Sequence, residues 1–281
     1  MIIRCGGVPE HFNYPWQVAM DKGYFVEEGL DVLWTDYKGG TGAMCQDLRE
    51  NKLDIATLLT EGAITDIAKG NPSLIHSIYV DSPLIWGIHT GYHSTHINPD
   101  AGGKIRYAVS RMGSGSHLMA IVDRIQRNLS IKDTEWIVVQ NLEGARKSLI
   151  KDESDYFLWE KNMTAPYVYN KELRRIGECP TPWPSVVLTV NKQLMNSTED
   201  LSGLIRALQK AVTYIQNLPD PAQIIAKTYE LKEEDARDWY NHIKWSCGEK
   251  LSQSVYATTA KILCEAGILT NAPDYLHVCA K

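Results

Sequence analysis

Val32-Leu33-Trp34-Thr35-Asp36-Tyr37 leads into Gly39-Gly40-Thr41-Gly42-Ala43-Met44, and further on Ile105-Arg106-Tyr107-Ala108-Val109-Ser110 leads into Gly113-Ser114-Gly115-Ser116-His117. In both places an apolar, β-rich run ends in small residues and a helical pattern starts at once. A helix that begins so abruptly leaves N–H groups unpaired in its first turn, a cradle for an anion or for the polar edge of a ligand. Two such cradles in separate halves of one chain imply a ligand held from both sides.

Outward from these segments, β-rich and helical runs alternate, the pattern of an α/β protein. Residues 2–7 read as a strand and 15–22 as a helix, with Pro15 in the first turn where an N–H is not needed. Strands are expected at 31–37, 54–59, 74–80 and 84–89, and helices at 41–51 and 60–70. Residues 91–103 are polar and contain Pro99 and Gly102-Gly103. The alternation then restarts with strands at 105–110, 136–140 and 155–159 and helices at 116–129 and 142–150. Pro180, Pro182 and Pro184 stiffen a connection around Trp183, and 186–190 is one more strand. From Thr198 onward Leu201, Leu204, Ile205, Leu208, Ala211, Val212 and Ile215 recur at helical spacing and form one apolar face. Leu218-Pro219-Asp220-Pro221 interrupts it, and further helices run to about Gly267.

The second βα block is thus inserted between a first block and a helical tail. The expectation is two lobes, residues 1–90 with 187–281 and residues 91–186, with the chain crossing near 89–104 and 179–187 to make a two-strand hinge. A single doubly wound sheet with a helical extension is the competing topology.

Composition removes several function classes. The 281 residues carry a net charge of −5 and no basic stripe, which argues against nucleic acid. No apolar run is long enough to cross a bilayer. Met1 to Pro9 reads as a strand entering a loop, without the basic and apolar segments of a secretory leader. A cytoplasmic location is expected, or a periplasmic one where a leader has been removed. Cys5, Cys45, Cys179, Cys247, Cys264 and Cys279 form no Cys-x-x-Cys pair and read as reduced, mostly buried thiols.

The stretch Ala19-Met20-Asp21-Lys22-Gly23-Tyr24-Phe25-Val26-Glu27-Glu28-Gly29-Leu30-Asp31-Val32 resembles a segment of type II periplasmic binding proteins, in the branch that takes alkylsulfonates, taurine, nitrate or thiamine-pyrimidine precursors. Gly39-Gly40-Thr41-Gly42-Ala43 is similar to that branch's Gly-rich turn, Asp54-Ile55-Ala56 to its following strand, and Gly113-Ser114-Gly115-Ser116 to its second-lobe turn. Gly6-Gly7-Val8-Pro9-Glu10-His11-Phe12-Asn13 with Ser110 to His117 resembles a leaderless subgroup from yeasts and bacteria, and a fungal cytosolic member is suspected. The resemblance implies a two-lobe α/β fold that closes on a small molecule. The branch also holds fungal pyrimidine synthases with a Cys-rich, iron-linked cluster; here Cys5 and Cys45 stand alone.

In such folds ligands meet the loops at the carboxyl ends of the strands. The first lobe then offers Glu10, His11, Asn13, Gly40, Thr41, Gly42, Thr60 and Glu61, and the second Arg111, Gly113, Ser114, Gly115, Ser116, His117, Trp159 and Glu160. The Gly/Ser turns and Arg111 suit a negative group. The three carboxylates suit an N–H or amine edge, and Trp159 or Trp183 could stack on a flat ring. The expected ligand is a small anionic or zwitterionic molecule, a pyrimidine phosphate being one concrete case. An enzyme of thiamine-pyrimidine synthesis, using His11 or His117 with Glu10, Glu61 or Glu160 as acid–base groups, is the alternative; a receptor for an ABC-type importer is a second. His89, His93 and His96 are spaced by four and three, yet Gly91 spoils helical presentation, and they read as solvated histidines of a hinge loop. No catalytic constellation, metal-ligand set or cofactor motif emerges: Gly113 to Ser116 lacks the spacing of a nucleophile elbow and no Walker lysine follows either turn. No protein partner is indicated.

Overall fold

Two runs are apolar on both faces, Ile55–Leu59 and Val186–Asn191, and such runs belong in the middle of a covered sheet. The structure, a computed structural model, describes residues 2–100 and 103–280 apart from the side chain of Asn196, and it pairs these two runs antiparallel. Met1, the Ala101-Gly102 part of the polar connection and Lys281 lie outside the described residues.

The chain divides into two units, Met1–Ser82 with Trp183–Lys261 and Asn271–Lys281, and Pro83–Pro182 with Ile262–Thr270. The first unit contains β1 (Ile2–Gly7), α1 (Tyr14–Asp21), α2 (Tyr24–Glu27), β2 (Asp31–Asp36), α3 (Gly40–Arg49), β3 (Ile55–Leu59), α4 (Thr60–Ala68) and β4 (Ser73–Val80). The second unit contains β5 (Ile85–Gly91), β6 (Ile105–Val109), α5 (Gly115–Gln126), β7 (Thr134–Val138), α6 (Leu142–Ile150), β8 (Tyr156–Glu160), α7 (Lys161–Tyr169) and β9 (Leu173–Pro180). The chain then returns to the first unit with β10 (Val186–Asn191), α8 (Thr198–Gln216), α9 (Pro221–Thr228) and α10 (Glu233–His242). Helices α11 (Gln253–Glu265) and α12 (Tyr275–Val278) close the sequence.

The first sheet has the order β2-β1-β3-β10-β4 and the second β7-β6-β8-β5-β9. Each has the same plan. Its first three strands pair in parallel, and the fourth in spatial order, β10 or β5, runs antiparallel to both neighbours. The first core is built on Trp16, Phe25 and Leu30, packed with Leu204, Leu208, Ala211 and Ile215 from the predicted apolar face of α8. The second centres on Ala108, Ala145, Leu149, Phe157 and Leu173.

Three expectations change. The expected first lobe takes in residues 85–90, but the strand Ile85–Gly91 pairs with β8 and β9 in the second sheet. The unit boundaries therefore fall after Ser82 and Pro182, and the polar connection after Gly91 lies inside the second unit. Helix α7 and strand β9 were not anticipated. Pro166 sits inside α7, and β9 carries Arg174, Arg175 and Glu178 because it is an edge strand, where charge is tolerated. The tail is not one block either: Ile262–Thr270 groups with the second unit.

Candidate functional site

In the first unit, β1 ends at Gly7 and the chain turns through a single 3-10 turn, His11–Asn13. This turn is pinned by the Phe12 carbonyl, which accepts from the Tyr79 hydroxyl and from Trp245 Nε1, each at 2.9 Å. Asn13 is buried and donates Nδ2 to the Val8 carbonyl at 2.8 Å. That contact fixes the amide orientation and leaves Oδ1 buried without a partner. Gly7 is required here: a Cβ would lie 2.4 Å from Thr57 Oγ1 and 2.5 Å from Asn13 Nδ2.

The neighbouring strand β3 runs directly into α4. Thr60, fully buried, donates its hydroxyl to the Pro184 carbonyl and its N–H to the Ser185 carbonyl, so its side chain is committed to the fold. Glu61 follows in the first turn of α4 and is only 5% exposed. Its Oε2 accepts from Trp183 Nε1 at 2.8 Å, while Oε1 has no partner. Burial pushes the carboxyl up to about 7, against the pull of its own helix N–H and the Trp183 bond. Thr41 lies beside this turn, because a Cβ on Gly62 would meet its Cγ2 at 2.7 Å. Gly40 has φ +66°, a left-handed backbone that favours glycine; Gly42 is exposed at the same helix start.

His11 differs from expectation. Its ring packs edge-on against Trp239 at 4.3 Å and Tyr229 at 6.1 Å, and burial lowers its pKa to about 4. It is a neutral member of an aromatic cluster. Glu10 is half-buried in the loop before it.

In the second unit, β6 leads through Ser110–Ser114 to α5. Gly113 has φ +76°, and Ser114 caps the helix by accepting from the His117 N–H at 3.4 Å. The serines bond mainly to each other: Ser116 Oγ is 3.1 Å from Ser114 Oγ and 3.3 Å from Ser110 Oγ, and it accepts from the Ser110 N–H at 2.9 Å. The hydroxyls therefore hold the turn, and the donors left at the helix start are the N–H groups of Gly115 and Ser116. His117 accepts from the Gly113 N–H through Nδ1 at 3.1 Å and packs edge-on against Trp136 at 4.6 Å, with its pKa lowered by burial. Arg111 is exposed beside the turn.

Trp86 of β5 lies on Gly115: a Cβ there would come 2.8 Å from Trp86 Cη2. Its Nε1 is buried without a partner. The half-buried Trp159 stands edge-on to Trp86 at 6.3 Å and stacks on Phe157 at 5.3 Å. Glu160 caps α7, accepting from Met163 N–H at 2.8 Å and Asn162 Nδ2 at 3.1 Å. Burial raises its pKa, offset by those donors. Both carboxylate oxygens thus serve the helix start.

The three histidines considered for metal separate. His89 is fully buried in β5 rather than solvated, His93 is exposed, and His96 approaches Asp155 at 3.5 Å. Among the described residues no group of three His, Cys, Asp or Glu side chains is placed to hold a metal ion.

Comparison with known proteins agrees with the fold. A family model described as Ca3427-like PBP matches residues 86–179. The Candida albicans CA3427 gene product, whose structure is described as the generic periplasmic binding protein fold, is 27% identical over 98% of this chain and 93% of that chain, with a TM-score of 0.84. The aliphatic sulphonate binding protein SsuA of Escherichia coli is 13% identical, covering 100% of this chain and 92% of that one, with a TM-score of 0.78. The nitrate-binding protein NrtA of Synechocystis PCC 6803 is 16% identical, covering 98% and 83%, with a TM-score of 0.66. No curated protein matches the sequence. The chain has the α/β fold of type II periplasmic binding proteins.

Two residues beside the candidate site, Trp86 and Thr57, are not singled out by the sequence. Both sit inside strands and look like ordinary core. What distinguishes them is the glycine each confronts, Gly115 and Gly7, and that pairing is visible only in three dimensions.

Proposed function

We propose that the protein binds a small polar molecule, anionic or zwitterionic, contacting it with both units and closing on it by hinge motion. The observation that carries this reading is the placement of buried, unpartnered polar atoms at the carboxyl ends of the parallel strands. These are Asn13 Oδ1 and Glu61 Oε1 in the first unit and Trp86 Nε1 in the second. Others, such as those of Trp16, His89 and Arg124, lie elsewhere. Leaving such a group unmet costs about 1–3 kcal/mol, which a ligand's polar atoms would recover. The start of α5 adds N–H donors for a negative group, worth roughly 0.3–1 kcal/mol when exposed and up to ~2 when partly buried. The named ligands of the fold's relatives, sulphonate and nitrate, are of this polar class. A pyrimidine phosphate is one candidate consistent with the aromatic pair Trp86 and Trp159.

Isothermal titration against a panel of pyrimidines, sulfonates, amino acids and inorganic anions tests the proposal. Saturable binding by one organic class is expected; binding of simple inorganic anions alone counts against the zwitterionic and pyrimidine readings, and no saturable binding in the panel overturns the proposal. Binding accompanied by a smaller radius of gyration in solution scattering would support closure. A cytosolic pool is proposed as the location, supported by the free state of all six cysteines. Fractionation of native cells checks it.

A further inference from the structure

From the donor and acceptor inventory of the first unit, we infer that its part of the site selects a nitrogen group bearing N–H, with Glu61 Oε1 as the receiving atom. This rests on the small-ligand reading and names the chemistry of one end of that ligand. Three observations carry it. Glu61 and Asn13 are 5% and 3% exposed, and each presents one oxygen without a partner. The other atom of each group is committed, Glu61 Oε2 to Trp183 Nε1 and Asn13 Nδ2 to the Val8 carbonyl, so Asn13 turns no donor outward and Glu61 does so only while its carboxyl is protonated. The hydroxyl nearest in sequence, on Thr60, already donates to the Pro184 carbonyl.

Both groups stand at the same end of the sheet. Gly7, which abuts Asn13, follows the β1 residue paired with Ala56, and β3 ends at Leu59, two residues before Glu61. The ionised Glu61 and the Asn13 carbonyl oxygen each disfavour a sulfonate or nitrate and favour an ammonium or an amino-substituted ring. The negative end of the ligand then falls to the second unit, where Trp86 Nε1 and the start of α5 are donors.

The test uses the full-length protein and two matched pairs of probes: 2-aminoethanesulfonate against ethanesulfonate, and 4-aminopyrimidine against pyrimidine. The amino member of a pair is expected to bind roughly tenfold or more tightly. Which pair shows the difference tells an ammonium site from a ring site. Glu61→Gln keeps the shape and the acceptor for Trp183 but turns an amide donor toward the ligand, so it should abolish that preference. A wild-type measurement guards against a variant that fails to fold. At pH 6 the heat of binding an amino probe should depend on the buffer's ionisation heat, because Glu61 releases a proton on pairing. Equal or tighter binding of the amine-free members overturns the inference and leaves the small-ligand reading standing. A preference that survives Glu61→Gln, or a heat independent of buffer, overturns the role of Glu61. If no probe of either pair binds, the inference fails, and the wider panel then decides the small-ligand reading separately.

Discussion

The Trp183 indole donates to Glu61 Oε2 at 2.8 Å, joining residues 122 positions apart. Trp183 is the first residue after the chain returns to the first unit, and Glu61 lies in the first turn of α4. The Thr60 bonds to Pro184 and Ser185 reinforce the same junction. One carboxylate therefore does two things: it ties the returning chain in place and leaves its second oxygen available.

Trp183→Phe removes the indole donor and little of the packing. The variant should lose about 1–3 kcal/mol, the usual cost of stranding a buried polar partner. The loss should be larger at pH 8, where Glu61 is charged, than at pH 5. Urea unfolding at the two pH values measures it; an equal loss at both would mean the bond does not favour the carboxylate.

Glu61 also sets a pH dependence. Its folded pKa of about 7 lies above the ordinary 4.5, so between those values the native state holds a proton that the unfolded chain has released. Stability from this group is greatest below pH 4.5, falls as pH rises to about 7, and is level beyond. At about 1.4 kcal/mol per pH unit the full loss is about 3.5 kcal/mol as an upper bound. Glu61→Gln should accordingly gain on the wild type across this window, as seen in unfolding midpoints taken from pH 4.5 to 8. A gap that does not vary with pH refutes it.

The buried histidines act in the opposite direction. His11 and His89 have pKa values lowered to about 4, chiefly by burial. Their contribution is fully present above pH 6.5 and is lost as pH falls through 4, because the unfolded chain takes up protons first. Each is worth up to about 3.5 kcal/mol on the same scale. The wild type should therefore lose stability steeply below pH 6.5. His11→Phe, which preserves an aromatic against Trp239, should flatten part of that slope in acid titrations followed by circular dichroism.

The α5 start offers a local test. Gly115→Val would drive a side chain into Trp86 and should cost about 1–3 kcal/mol by overpacking, with a visible change in tryptophan fluorescence. Ser114→Ala removes the cap, about 1 kcal/mol, together with the contact to Ser116 Oγ, and should leave the emission unchanged. Chemical denaturation with fluorescence detection separates the two effects.

The strand–glycine–helix segments were legible because their signals are local: alternating apolar residues, then Gly40 or Gly113 in a left-handed backbone. The assignment of β5 was not, because its sequence announces a strand without naming its partners. Edge position hid β9 behind Arg174 and Arg175, and Pro166 hid α7. Asn13 and Glu61 stand out in the sequence by their place after strands, and both are buried with one unpartnered oxygen. His11 was misjudged because its burial comes from Trp239 and Tyr229, which fold back from far along the chain. The hydroxyls of Ser114 and Ser116 brace the turn, a role that only the folded chain shows.

The position of β10 between β3 and β4 sets an order of assembly during translation. A nascent chain that has emerged as far as Ser82 holds four strands of the first sheet but not the one that separates β3 from β4. That strand leaves the ribosome only after Pro83–Pro182, by which point all five strands of the second sheet have been made. The half encoded later is thus the first able to complete its sheet, and the amino-terminal half waits with two unsatisfied strand edges, the kind of exposed edge on which partly made chains aggregate.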